Sequence, residues 1–268
     1  MFSVGDYKLN RDQLFLMAGP CVLEESNIGY EIAAATKKIA QELQIPFIFK
    51  ASYLKANRSS KDGFRGIGVE KGLEQLRCIK EELHLPIMAD VHDLSEVERV
   101  AKVVDIMQIP AFLCRQTYLI EAVAKTGRAV NIKKGQFMAP WDMKYAVEKV
   151  QAMGNHRIFL TERGSTFGYN NLVVDIRSIP IMSQYDCLVV FDGTHSAQLP
   201  GAGKGETSGQ REMVPFLVKS AVAAGCHGIF LEVHPNPETS PSDKANIYPL
   251  DGLAALLKTA LAIHKVVH

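Results

Sequence analysis

The chain has 268 residues, 47% hydrophobic and 22% charged, which is long enough for one or two globular domains. Lys+Arg 30 against Asp+Glu 29 leaves a formal net charge of +1, so no global field draws it to nucleic acid or a membrane surface, and its basic residues matter only where they cluster. No apolar run approaches the roughly 20 residues that span a bilayer, and five scattered cysteines (Cys21, Cys78, Cys114, Cys187 and Cys226), unpaired in spacing and with no secretory segment ahead of them, point to a reduced, cytoplasmic chain.

Phe2 to Leu9 alternates around Gly5-Asp6 and predicts a small β-hairpin ahead of the main fold. Leu14 to Ala18 is then a short, wholly apolar run ending in Gly19-Pro20-Cys21, followed by a capping Ser26 and helical spacing at Ile32, Ala35, Ile39 and Leu43. Strand, polar turn and helix form a unit, and the unit recurs. Further strands are expected around residues 46–50, 86–90, 104–108, 129–133, 157–161, 187–191 and 228–232. Helices are expected around 69–83, 95–103, 116–125, 140–153, 175–182, 210–224 and 250–267. Eight βα units in about 250 residues, with continuously apolar strands, predict an α/β fold: one (β/α)8 TIM barrel domain over residues 1–268. A doubly wound open sheet competes, but no Gly-x-Gly-x-x-Gly follows the first strand. Gly201 to Thr207 falls short of a P-loop, because Gly205 stands where Ser or Thr should follow Lys204, and reads as a mobile, glycine-rich active-site loop.

In such a barrel every strand's C-terminal end faces one side, where the chemistry is done. Those positions carry Cys21, Lys50, Asp90 with His92, Gln108, Lys133, Arg163, Asp192 with His195, and Glu232 with His234. Lys50 to Ser60 adds Ser52, Lys55, Asn57, Arg58 and Ser59, a composition able to hold a doubly anionic small molecule. A solvated basic loop has the same composition. Lys50, Lys55, Arg58, Arg115, Lys133 and Arg163 make a cationic ring for more than one phosphate or carboxylate. Cys21, His195, Glu232 and Asp243 form a second group, which barrel closure brings together. A thiolate, an imidazole and two carboxylates suit one divalent transition metal (zinc, iron or manganese) rather than magnesium. Packing as a small buried hydrophobe is the commoner fate of a free cysteine, and for Cys21 both readings stand at this point.

Several longer stretches go further: Lys50-Ala51-Ser52-Tyr53 with Lys55-Ala56-Asn57-Arg58-Ser59-Ser60, then Phe64-Arg65-Gly66, Asp90-Val91-His92, Gln108 to Thr117, Gln136-Phe137, Glu162-Arg163-Gly164 and Phe167 to Asp175. In order and placement they closely resemble the 3-deoxy-D-manno-octulosonate 8-phosphate synthase family, from about Leu14 to the C-terminal helix. The resemblance implies an aldol-type condensation of phosphoenolpyruvate with D-arabinose 5-phosphate and water, releasing phosphate and feeding lipopolysaccharide synthesis. It implies a phosphoenolpyruvate phosphate site at Lys133, Arg163 and the backbone of Ala111, with the carboxylate side at Lys50, Ser52, Lys55 and Gln108. Asn57, Arg58 and Ser59 resemble the sugar-phosphate site, with Arg115 reaching in from a neighbouring subunit of a homotetramer. Cysteine rather than asparagine after the first strand marks the metal-dependent class, with Cys21, His195, Glu232 and Asp243 as ligands. Lys55, Asp90 and His92 are the candidates for proton traffic, with Cys21 the catalytic metal's thiolate. Leu54 and Tyr118 stand where acidic residues are usual, and Ile67, Gly193 and Gln210 also depart from the family pattern. None of these is an expected ligand. Two other readings remain: the related synthase that takes erythrose 4-phosphate, and a non-catalytic barrel that binds sugar phosphates.

Overall fold

The computed structural model describes residues 1–57, 63–202 and 208–267. Eight parallel strands form a closed barrel: β1 (Phe15–Gly19), β2 (Phe47–Lys50), β3 (Ile87–Asp90), β4 (Ile106–Ile109), β5 (Ala129–Lys133), β6 (Ile158–Glu162), β7 (Leu188–Asp192) and β8 (Gly228–His234). Each strand pairs with its sequence neighbours, and β8 closes the ring by pairing with both β7 and β1. Every strand residue is buried, which is why the strands read as continuous apolar runs rather than alternating ones. The intervening helices are α1 (Ile28–Glu42), α2 (Val69–Leu83), α3 (Val97–Ala101), α4 (Thr117–Lys125), α5 (Lys144–Ala152), α6 (Ser178–Met182), α7 (Val214–Ala223) and α8 (Leu253–Val267). The expected (β/α)8 barrel is the observed one.

The differences lie at element ends. Ser26 does not cap α1; Asn27 holds that position, with no side-chain cap bond. The first turns expected for α3, α5, α7 and α8 are tighter 3-10 turns at Leu94–Glu96, Pro140–Met143, Arg211–Met213 and Leu250–Gly252. Helix α6 starts three residues later than expected. The Asp175 carboxylate takes the Arg177 backbone N–H at 3.1 Å and its guanidinium at 2.9 Å, an alternative to helical bonding.

Side chains alternate along each strand. One set (Leu16, Ala18, Phe47, Phe49, Ile87, Ala89, Met107, Val189 and their like) packs outward against the helices. The other (Phe15, Met17, Ile48, Met88, Ile106, Ala129, Phe159, Leu188, Val190 and Phe230) fills the barrel's N-terminal half. The predicted hairpin, Phe2–Val4 with Tyr7–Leu9, caps that end. Val4 and Leu9 join the interior cluster, and the Phe2 ring meets Phe159 edge-on at 5.0 Å. Gly228 makes the closure tight, since a Cβ there would lie 2.3 Å from the Phe15 ring. An apolar, plugged lower half leaves only the C-terminal half of the interior for polar groups.

Candidate active site

The inward positions one layer above the apolar plug are polar on nearly every strand. Thr161 donates to Asn131 at 2.7 Å, Asn131 donates to Gln108 at 2.8 Å, and Gln108 donates to Asp90. From the other side Lys50 donates to Ser52 at 2.9 Å, and Ser52 donates to the second Asp90 oxygen. A hydrogen-bond chain thus runs around the barrel from β6 to β2 and converges on one carboxylate. Asp90 only accepts. Burial opposes its charge, but Lys50, Lys55 and His92 more than offset this and hold its carboxyl well below the usual range.

The four cations of this layer are interleaved with four carboxylates, so the cationic ring expected from the sequence is an alternating one. Lys50 Nζ lies 3.6 Å from Asp90 and 3.8 Å from Glu232. Lys55 Nζ lies 3.6 Å from Glu232. Burial works against the Lys55 charge, yet the site's anionic groups, a Cys21 thiolate when ionised and the carboxylates of Glu232, Asp90 and Asp243, outweigh it and raise its pKa. Lys133 pairs with Asp192 and sits 3.9 Å above the Phe230 ring, the lid of the apolar plug. Burial lowers the Lys133 pKa, with Lys50 and Arg163 adding to the effect and Asp192 opposing it. Arg163, 5% exposed, donates through Nη2 to Gln198 at 2.6 Å, while its buried Nη1 has no partner among the described residues. A buried charged donor left unpaired is costly, and its natural partner is an anionic ligand.

Beside these cations, donor atoms of Cys21, Glu232 and Asp243 lie within 4.8 Å of one another. Cys21 Sγ is 3.0 Å from Ser242 Oγ and 3.2 Å from Asp243 Oδ2. The loop that carries Asp243 puts this residue in the left-handed region, at φ 50°. His195 stands next to the cluster, with Nε2 3.6 Å from Glu232 Oε1 and Nδ1 2.8 Å from Asp192. Both Glu232 carboxylate oxygens are buried and accept no hydrogen bond among the described residues. An ionised, orphaned carboxylate beside a thiol, a second carboxylate and an imidazole nitrogen fits a divalent transition metal. Without one, burial and then Glu232 push the Cys21 thiol pKa up.

Of the expected site residues, Cys21, Lys50, Ser52, Lys55, Asp90, Gln108, Lys133, Arg163, His195, Glu232 and Asp243 converge here. Ala111 is buried in the 3-10 turn directly after β4. His92 lies at the rim, its backbone N–H held by Glu96 at 3.2 Å. Asn57 and Arg115 are exposed, while Arg58, Ser59 and most of the glycine-rich loop fall outside the described residues. Besides Asn131 and Thr161 of the polar layer, Gln198 and Lys134 were not anticipated. Gln198 bridges Arg163 to Asp243, donating to the latter at 3.0 Å. Lys134 is buried between the β5 and β6 loops, 3.5 Å from Glu162 and 3.0 Å from Ser165.

A family model described as the DAHP synthetase I family matches residues 7–265. The chain is 52% identical over 254 residues to the 2-dehydro-3-deoxyphosphooctonate aldolase of Nitrosococcus oceani, covering 95% of this chain and 91% of that protein. Over 266 residues it is 52% identical to the protein of that name from Geobacter metallireducens, covering 99% and 98%. Over 268 residues it is 49% identical to the one from Coxiella burnetii, covering 100% and 96%.

Proposed function

The chain belongs to the DAHP synthetase I family, and from that premise we propose that it condenses phosphoenolpyruvate with D-arabinose 5-phosphate and water, giving 3-deoxy-D-manno-octulosonate 8-phosphate and phosphate. The name carried by its relatives denotes the same eight-carbon deoxy keto-acid phosphate. The observation that carries the reading is the buried Arg163 guanidinium, with one amino group unpartnered near Lys133 among the described residues. A buried cationic donor of this kind suits a dianionic group.

In this reading Lys133, Arg163 and the Ala111 backbone hold the phosphoenolpyruvate phosphate, and Lys50, Ser52, Lys55 and Gln108 hold its carboxylate. Asn57, Arg58 and Ser59 take the sugar phosphate. C3 of the enol phosphate attacks the sugar aldehyde, water adds at C2, and the C2–O bond to phosphate then breaks. Opposed charges fix the two anions in attack geometry, and their neutralisation is the largest contribution the chain makes. Lys55, kept protonated by surrounding carboxylates, is the cation this reading assigns to charge developing on the aldehyde oxygen. Asp90, held ionised, orients Lys50, Ser52 and Gln108 and is too weak a base to take the water proton unaided. His92 is the remaining candidate for that proton.

Cys21, His195, Glu232 and Asp243 hold one zinc, iron or manganese ion in this reading, and such an ion supplies Lewis acidity for the aldehyde or for water. Exposed Phe112, Tyr118, Trp141 and Tyr145 lie on and around α4 and α5, apolar surface that a homotetramer would cover and from which Arg115 would reach a neighbouring site. No helix among the described residues is long and apolar enough to cross a membrane, and free cysteines with soluble phosphorylated substrates favour the cytoplasm.

The test is acceptor choice. Phosphate release from phosphoenolpyruvate is measured with arabinose 5-phosphate and with erythrose 4-phosphate, and the five-carbon sugar is expected to give the higher kcat/KM. An equal or higher value for erythrose 4-phosphate assigns the chain to the other branch. Saturable binding of both substrates with no phosphate release makes it a sugar-phosphate-binding barrel.

A further inference from the structure

Asp192 stands between the two halves of the site. It ends β7, shares the inward side with Leu188 and Val190, and is fully buried. Its Oδ1 accepts the backbone N–H of His195 at 2.9 Å, and its Oδ2 lies 2.8 Å from His195 Nδ1 and also accepts from Lys133 Nζ. The Lys133 ammonium is 3.4 Å from that same ring nitrogen. With a carboxylate on one side and an ammonium on the other, Nδ1 carries the hydrogen and points it at Asp192. Nε2 faces Glu232, 3.6 Å away, and is the ring nitrogen free to ligate a metal.

Building on the metal and phosphoenolpyruvate reading above, we infer that Asp192 is a positioning residue with two opposed effects. It fixes the His195 tautomer and ring orientation that present Nε2 to a metal, and it occupies the Lys133 ammonium that an incoming phosphate must take over. The first effect raises metal affinity, as an outer carboxylate partner of a ligating histidine does. The second lowers anion affinity, because a buried carboxylate beside Lys133 both competes for the ammonium and repels a dianion. A single side chain thus trades phosphate binding for metal binding.

Asp192→Asn preserves shape and removes the charge. Metal-free full-length wild type, D192N, H195Q and the double variant are each titrated calorimetrically with cobalt(II) and, separately, with phosphoenolpyruvate. D192N is expected to weaken cobalt binding by about 10- to 100-fold and to tighten phosphoenolpyruvate binding several-fold. The double variant is expected to bind cobalt no more weakly than H195Q alone, because Asp192 acts through His195. Opposite movement of the two affinities is something general loosening of the barrel does not produce. Unchanged cobalt affinity in D192N, weakening of both ligands together, or additive losses in the double variant would each overturn the inference. If D192N does not fold, the imidazole nitrogen-15 spectrum of metal-free wild type decides instead: a proton on Nδ1 of His195 is expected, and a ring protonated at Nε2 alone overturns it. Wild type that binds neither cobalt nor phosphoenolpyruvate overturns the functional reading as well, whereas wild type that binds both, with D192N indistinguishable from it, overturns this inference alone.

Discussion

Replacing Arg163 by lysine keeps the charge and removes the planar fork, which isolates what the unpartnered amino group contributes. In the free protein Nη2 is engaged by Gln198 at 2.6 Å and Nη1 has no partner among the described residues. Burial works against the guanidinium charge, with Asp192, Asp243, Glu162 and Glu232 pulling the other way. A lysine ammonium can replace one of these two directions but not both, so one charge-assisted hydrogen bond to the phosphate is lost. Such a bond contributes about 1.5 to 3 kcal/mol, which is roughly 10- to 150-fold in affinity. Arg163→Met removes the charge as well, and about 2 to 5 kcal/mol is expected for it. Calorimetric titration with phosphoenolpyruvate reads both, and thermal unfolding of each variant checks that the barrel is intact. The KM for the sugar phosphate should move much less than that for phosphoenolpyruvate. Phosphoenolpyruvate binding to Arg163→Lys within twofold of wild type would refute the reasoning, because the orphaned Nη1 would then have no ligand to serve.

Cys21→Ala should lose both metal, by elemental analysis, and turnover, whereas Cys21→Asn should keep some metal-free activity, as asparagine at this position does in the metal-independent class. A metal-free Cys21→Ala with full activity would make Cys21 a packing residue. Gly228→Ala forces a methyl against the fully buried Phe15 ring, and overpacking of this kind should cost about 1 to 3 kcal/mol in urea unfolding. An unchanged midpoint would mean that the barrel closure is looser than described. Burial pushes the Cys226 thiol from 9.0 up to about 12, so the folded chain keeps a proton that the unfolded chain releases. Stability from this group is full below the unfolded thiol's pKa and is lost as pH rises towards 12. Relative to Cys226→Ala, wild type should therefore lose up to about 4 kcal/mol across that window; parallel alkaline unfolding profiles of the two proteins would contradict this.

Much of the fold was readable because barrel strands are buried on both faces, and the strand run of β7, Leu188 to Asp192, is apolar until the position where the interior opens to ligand. The same property made Lys50, Asp90, Gln108, Lys133, Asp192 and Glu232 conspicuous, since each is the polar residue that ends an apolar run. Less visible was what the polar groups do to one another. Asn131 sits in the middle of β5 at an inward position, and a single amide inside an apolar strand was the available sign of the Thr161–Asn131–Gln108–Asp90 chain. Lys134 adjoins Lys133 but points to the opposite side by strand alternation, so two neighbouring lysines have unrelated partners, Asp192 and Glu162. Gln198 carries no motif, and its place between Arg163 and Asp243 depends on the loop path after β7. The pairing of cations with carboxylates was hidden for the same reason: strand ends identify which groups meet, while side-chain geometry decides which of them neutralise each other.

The most direct measurement is the carbon and phosphate balance of one reaction. Phosphoenolpyruvate, arabinose 5-phosphate and the metal-loaded protein are incubated, inorganic phosphate is counted, and the organic product is identified by mass spectrometry. One eight-carbon keto-acid phosphate formed for each phosphate released and each phosphoenolpyruvate consumed is the predicted result. Phosphate released with pyruvate as the organic product, or substrates recovered unchanged, would contradict the assignment of this barrel as a carbon–carbon bond-forming synthase.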